Sequence, residues 1–101
     1  MLRGSLGPDL LDIRTLFSKA GMFTYDPGFM CTASCASSIC YINGEKGELL
    51  YRGYPIEELA EHSTYMETSY LLLYGSLPSK SEAERFEATV VGEMMINEKI
   101  I

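Results

Sequence analysis

Residues 41–62, YINGEKGELLYRGYPIEELAEH, constrain the fold more than any other stretch. They read as a β-ribbon that turns through Arg52-Gly53-Tyr54-Pro55 directly into a helix. Ser37 to Ile42 mixes β-branched and aromatic positions, Asn43-Gly44-Glu45-Lys46-Gly47 supplies residues that tolerate positive φ, and Glu48 to Arg52 resumes the extended pattern. This predicts a hairpin over 37–52 with a loop of about four to five residues. Pro55 suits a first-turn helix position, where its missing N–H is harmless, and Glu57 and Glu58 place negative charge at the positive end of the helix dipole. A short helix from Ile56 to His62 is expected.

Further helix signals follow. Thr64 with Glu67 has the spacing of a capping box opening a second helix, which Gly75 closes before Leu77-Pro78. Ser79 with Glu82 opens a third, which is expected to run towards the last residue. Tyr65, Met66, Tyr70, Leu71, Leu72, Leu73 and Tyr74 wrap around most of the second helix instead of marking one stripe, the pattern of a helix inside a larger body. On the third, Ala83, Phe86, Val90 and Met94 share a face, and Val91, Met95, Ile96, Ile100 and Ile101 accumulate beyond it without a stop signal. Size and patterning together predict part of a larger protein. Residues 4–29 are irregular, punctuated by Gly7-Pro8, Gly21 and Asp26-Pro27-Gly28, with only Leu10 to Leu16 long enough for a short strand or turn. An extended arm with loops is expected there.

Eight Lys and Arg face fourteen Asp and Glu with no basic run, which argues against nucleic acid or an anionic membrane as partner. The longest apolar run, Tyr70 to Tyr74, is far below the roughly 20 residues of a membrane span. A soluble cytoplasmic chain is expected. Cys31, Cys35 and Cys40 follow a Cx3Cx4C spacing, which is neither a zinc-ribbon pair nor a disulfide framework. They are read as buried or half-buried free thiols.

Groups that resemble reaction chemistry have plainer readings. His62 is the single histidine, and a helix C-terminal cap or solvated group is favoured over acid/base duty. Glu57, Glu58 and Glu61 sit on one helical turn and read as a solvated face rather than a hydrolase carboxylate pair. The glycines of 43–47 lack the spacing of a phosphate cradle and are followed by a strand, so they are turn residues. Arg52, fixed between a strand end and a Gly-Tyr-Pro turn, could present its fork to a carboxylate or phosphate. The favoured reading is a structural clamp on nearby helix carboxylates or carbonyls. The Tyr and Met residues of the second and third helices read as core or interface material.

Taken in order, SLGPDLLDIRTL, FTYDPGF followed by TASC, YINGEKGELLYRGYPIEELAEHS, YMETSYLLLYGSLPS and EATVVGEMMINEKI resemble the N-terminal region of citrate synthase, in the long form typical of Gram-negative bacteria. The likeness covers essentially the whole chain. It implies an enzyme, mainly helical, acting as a homodimer or hexamer, that condenses oxaloacetate with acetyl-CoA and releases CoA. Its reaction needs a base beside the thioester and a donor at the enolate oxygen. The family's catalytic histidines and aspartate lie downstream of position 101, so the resemblance assigns no catalytic, cofactor-binding or metal residue to this chain, and His62 matches none of them. It also implies no cofactor, acetyl-CoA being a substrate. In the Gram-negative branch the segment corresponding to Gly92, Glu93, Met94 and Met95 usually reads Arg-His-Thr-Met and helps bind the inhibitor NADH. Only Met95 agrees, which implies weak or absent NADH sensitivity.

The expected architecture is an α+β fragment: a β-rich arm over 1–52 carrying the hairpin 37–52, then, over 53–101, the first helices of the mainly α citrate synthase large domain. Its expected role is structural. The alternatives are a 2-methylcitrate synthase of the same superfamily and a free-standing oligomerisation or binding module.

Overall fold

The computed structural model describes residues 1–95. It contains α1 (Leu16–Ala20), β1 (Cys40–Asn43), β2 (Glu48–Tyr51), β3 (Tyr54–Pro55), α2 (Ile56–His62), α3 (Tyr65–Tyr74) and α4 (Lys80–Gly92). This is the expected α+β composition, a three-stranded antiparallel sheet with several helices. The chain divides into two compact units, Met1–Ser37 and Ser38–Ile101.

In the first unit the punctuation residues act as the sequence indicates. Gly21 closes α1 in the left-handed region, its N–H donating to the Phe17 carbonyl at 2.8 Å. Asp26-Pro27-Gly28-Phe29 forms a turn closed by the Phe29 N–H on the Asp26 carbonyl at 3.2 Å, with Gly28 at φ 79°, the pattern of a type II turn. Two features of this arm were not anticipated. Leu16–Ala20 is helical, and Leu2 pairs with Leu10 through two 2.7 Å backbone bonds.

The second unit begins with the ribbon. Cys40 pairs with Tyr51 and Asn43 with Glu48, leaving a four-residue loop, Gly44 to Gly47, within the expected length. The Asn43 carboxamide oxygen accepts the Lys46 N–H at 3.1 Å, and Gly47 takes φ 64°. The sequence reading missed β3: Leu50 pairs with Pro55 and Tyr51 with Tyr54 across the two-residue turn Arg52-Gly53. Both turn residues have positive φ, 50° and 90°, as a type I′ hairpin turn requires. Pro55 is tolerated because β3 is an edge strand, where its missing donor leaves no ladder bond unmade. It is the N-cap of α2, one place before the first helical turn where it was expected.

The remaining helices use their predicted caps. Thr64 accepts the Glu67 N–H at 3.2 Å, but the Glu67 carboxylate receives the Thr64 hydroxyl and not its N–H, so this box is half made. Ser79 and Glu82 make the full box, with the Glu82 N–H on Ser79 Oγ at 3.3 Å and the Ser79 N–H on Glu82 Oε2 at 2.7 Å. Gly75 ends α3 at φ 88° and donates to the Leu71 carbonyl. The expected continuation of α4 to the last residue does not hold: the helix ends at Gly92, with Glu93 at its C-cap. Gly92 supplies the break, since glycine is the ordinary residue least willing to continue a helix. Ala83, Phe86 and Val90 are half-buried as their shared face predicts, whereas Met94 lies past the helix and is exposed. The expectations for Ile96, Ile100 and Ile101 lie outside the described residues.

Apolar burial centres on Leu59 of α2, 4% exposed, and Leu71 of α3, fully buried. Helix α2 packs on β2 and β3, and α3 on α4. Complete burial of a leucine such as Leu71 contributes roughly 2 kcal/mol. By contrast Tyr65 is 83% and Leu73 67% exposed on the same helix, so the all-round apolar character of α3 is only partly used within this chain.

Candidate functional site

The most specific side-chain geometry in the chain surrounds Arg52. Its φ of 50° is unusual for a residue other than glycine, asparagine or aspartate. Its N–H donates to the Ile39 carbonyl at 2.8 Å, fixing the turn to the start of the ribbon. The guanidinium then reaches across to α3, where Nε and Nη2 both donate to the Leu72 carbonyl at 3.2 and 2.9 Å. Nη1 donates to Ser38 Oγ at 3.1 Å.

Leu72 stands in the last turn of α3, where a carbonyl has no partner within the helix. A cation there also meets the negative end of the helix dipole. Arg52 therefore acts as the clamp on a helix carbonyl that the sequence suggested, and no carboxylate is involved. Ser38 and the Leu72 carbonyl were beyond sequence reasoning, because backbone acceptors leave no residue-type signal.

The helices are joined by an aromatic trio. Tyr70 and Tyr74 are one turn apart on α3, with ring centroids 4.5 Å apart. Phe86 of α4 meets them edge-on at 5.5 and 6.2 Å. Such pairs contribute about 0.5–1.5 kcal/mol each beyond the area they bury. Glu82, Arg85 and Thr89 line a shallow groove with these rings. The i, i+4 spacing of Tyr70 and Tyr74 was readable in advance, but the partner Phe86 was not.

The groups that mimic reaction chemistry are dispersed. His62 is exposed and lies 3.6 Å from the equally exposed Glu61 carboxylate, a solvated pair. Glu57, Glu58 and Glu61 are all exposed, as expected of a solvated helix face. The three cysteines carry free thiols, but the expected burial is wrong: Cys31, Cys35 and Cys40 are all exposed. Cys31 and Cys35 lie in an irregular segment, and Cys40 occupies the strand face opposite half-buried Tyr41 and Asn43. Among the described residues, no three His, Cys, Asp or Glu side chains are grouped to hold a metal ion. No helix among them is long and apolar enough to cross a membrane.

Among the described residues, three carboxylates have lowered pKa values, each for a local reason. The Arg14 guanidinium grips Asp12 through Nε at 2.9 Å and Nη2 at 2.6 Å, holding it at about 2. Asp26 is lowered by the Thr32 hydroxyl and then by the Cys31 N–H at 3.0 Å, bonds that fold 26–32 into a tight loop. Glu82 is lowered by its cap bond from the Ser79 N–H. These are the bonds of turns and caps.

The comparison with known proteins is decisive for the family. The model of the citrate synthase C-terminal domain matches residues 28–101, well over half of the chain. The chain belongs to the citrate synthase family. Its fold resembles part of the crystal structure of citrate synthase from Thermotoga maritima MSB8, with a TM-score of 0.72 and 44% identity over 76% of this chain and 22% of that one. Citrate synthase from Pyrobaculum aerophilum is 63% identical over 50% of this chain and 12% of that one, with a TM-score of 0.50. The chain thus spans 22% of the length of the Thermotoga citrate synthase.

Proposed function

We propose that the chain is the N-terminal segment of a citrate synthase of the long Gram-negative type, which condenses acetyl-CoA with oxaloacetate to give citrate and CoA at the entry to the tricarboxylic acid cycle. The observation that carries this reading is the 44% identity to the Thermotoga enzyme maintained over 76% of the chain. The ordered motif series from Ser5 onwards supports the long type and the N-terminal position. In this reading residues 1–52 form an arm and hairpin and 53–101 open the large domain. The segment packs and orients the enzyme, contributes to a homodimer or hexamer in the cytoplasm, and supplies no catalytic, cofactor or metal ligand.

The chemistry supports that division of labour. Drawing a proton from carbon next to a thioester needs a positioned base and a donor at the developing enolate oxygen. The solvated His62–Glu61 pair offers neither a desolvated base nor a directed donor.

The test is thiol release by the complete enzyme and by residues 1–101 alone, each given oxaloacetate with acetyl-CoA or propionyl-CoA. The expected result is turnover by the complete enzyme with preference for acetyl-CoA, and none by 1–101. Preference for propionyl-CoA would make the enzyme a 2-methylcitrate synthase. Turnover by 1–101 would overturn the structural role.

A further inference from the structure

We draw no further inference here: the strongest candidate, the aromatic groove between α3 and α4 lined by Tyr70, Tyr74, Arg85 and Phe86, is an apolar face for which nothing in the structure shows what covers it.

Discussion

Arg52 and Leu72 are joined by a forked bond, in which two guanidinium nitrogens of a hairpin-turn residue share one helix carbonyl at 3.2 and 2.9 Å. The turn residue pays for this with a left-handed backbone, which for a side chain bearing a Cβ costs roughly 1–2 kcal/mol. The gain is a charge-assisted bond to an otherwise unpartnered helix terminus. One residue therefore ties the ribbon's turn to α3.

Substitution separates the two effects. In the complete enzyme Arg52→Ala keeps the backbone strain and loses the bond, and is expected to destabilise by about 1.5–3 kcal/mol, as for a hydrogen bond to a charged donor. Arg52→Gly also loses the bond but relieves the strain, so it should fall between Ala and the parent in urea unfolding. An alanine variant as stable as the parent would show that the clamp contributes nothing.

Two glycines provide a purely backbone test. A Cβ at Gly53 or Gly75 meets nothing within 4 Å, yet their φ values are 90° and 88°. Alanine at either position should therefore cost about 1–2 kcal/mol from conformation alone. Gly44 has equally open surroundings without the positive φ. Gly44→Ala should be close to neutral in thermal melts, and equal losses at all three positions would contradict this account.

Acid should loosen two local structures in a defined direction. Asp26 and Glu82 have folded pKa values below their ordinary 3.8 and 4.5, so they bind fewer protons folded than unfolded near those values. Their stabilising contribution is present above the ordinary values and is lost as pH falls through the lowered ones. Unfolding midpoints followed from neutral to acid pH should fall less steeply in Asp26→Asn and Glu82→Gln than in the parent. An unchanged slope in both variants would rule out these two groups.

NADH should inhibit the complete enzyme weakly or not at all through the segment at the end of α4. Glu93 caps that helix and adds negative charge to the negative end of its dipole, which opposes a phosphate-bearing ligand. Activity measured against NADH concentration checks this. Tight, saturable inhibition that responds to changes at Gly92 or Glu93 would contradict it.

Residues 1–101 on their own should self-associate. Tyr65, Leu73 and Tyr74 leave α3 with a broad exposed apolar surface, and such surfaces seek partners in water. Light scattering should report concentration-dependent association. A monodisperse, cooperatively melting monomer would favour a free-standing module instead.

The sequence by itself determined the elements whose causes are local. The ribbon loop, the Ser79–Glu82 box, the glycine stop at Gly75, and the helix beginning after Pro55 depend on residue types a few positions apart. The ordered motifs also carried the family. Tertiary structure decided whatever depended on distant or backbone partners. Leu72 was an unremarkable leucine until its carbonyl met Arg52, and β3 existed only because a type I′ turn folded Tyr54 back onto Tyr51. Exposure of the cysteines likewise followed from strand face and loop placement, not from thiol character. Periodicity reports which residues can share a face, but only packing chooses which faces and carbonyls acquire partners.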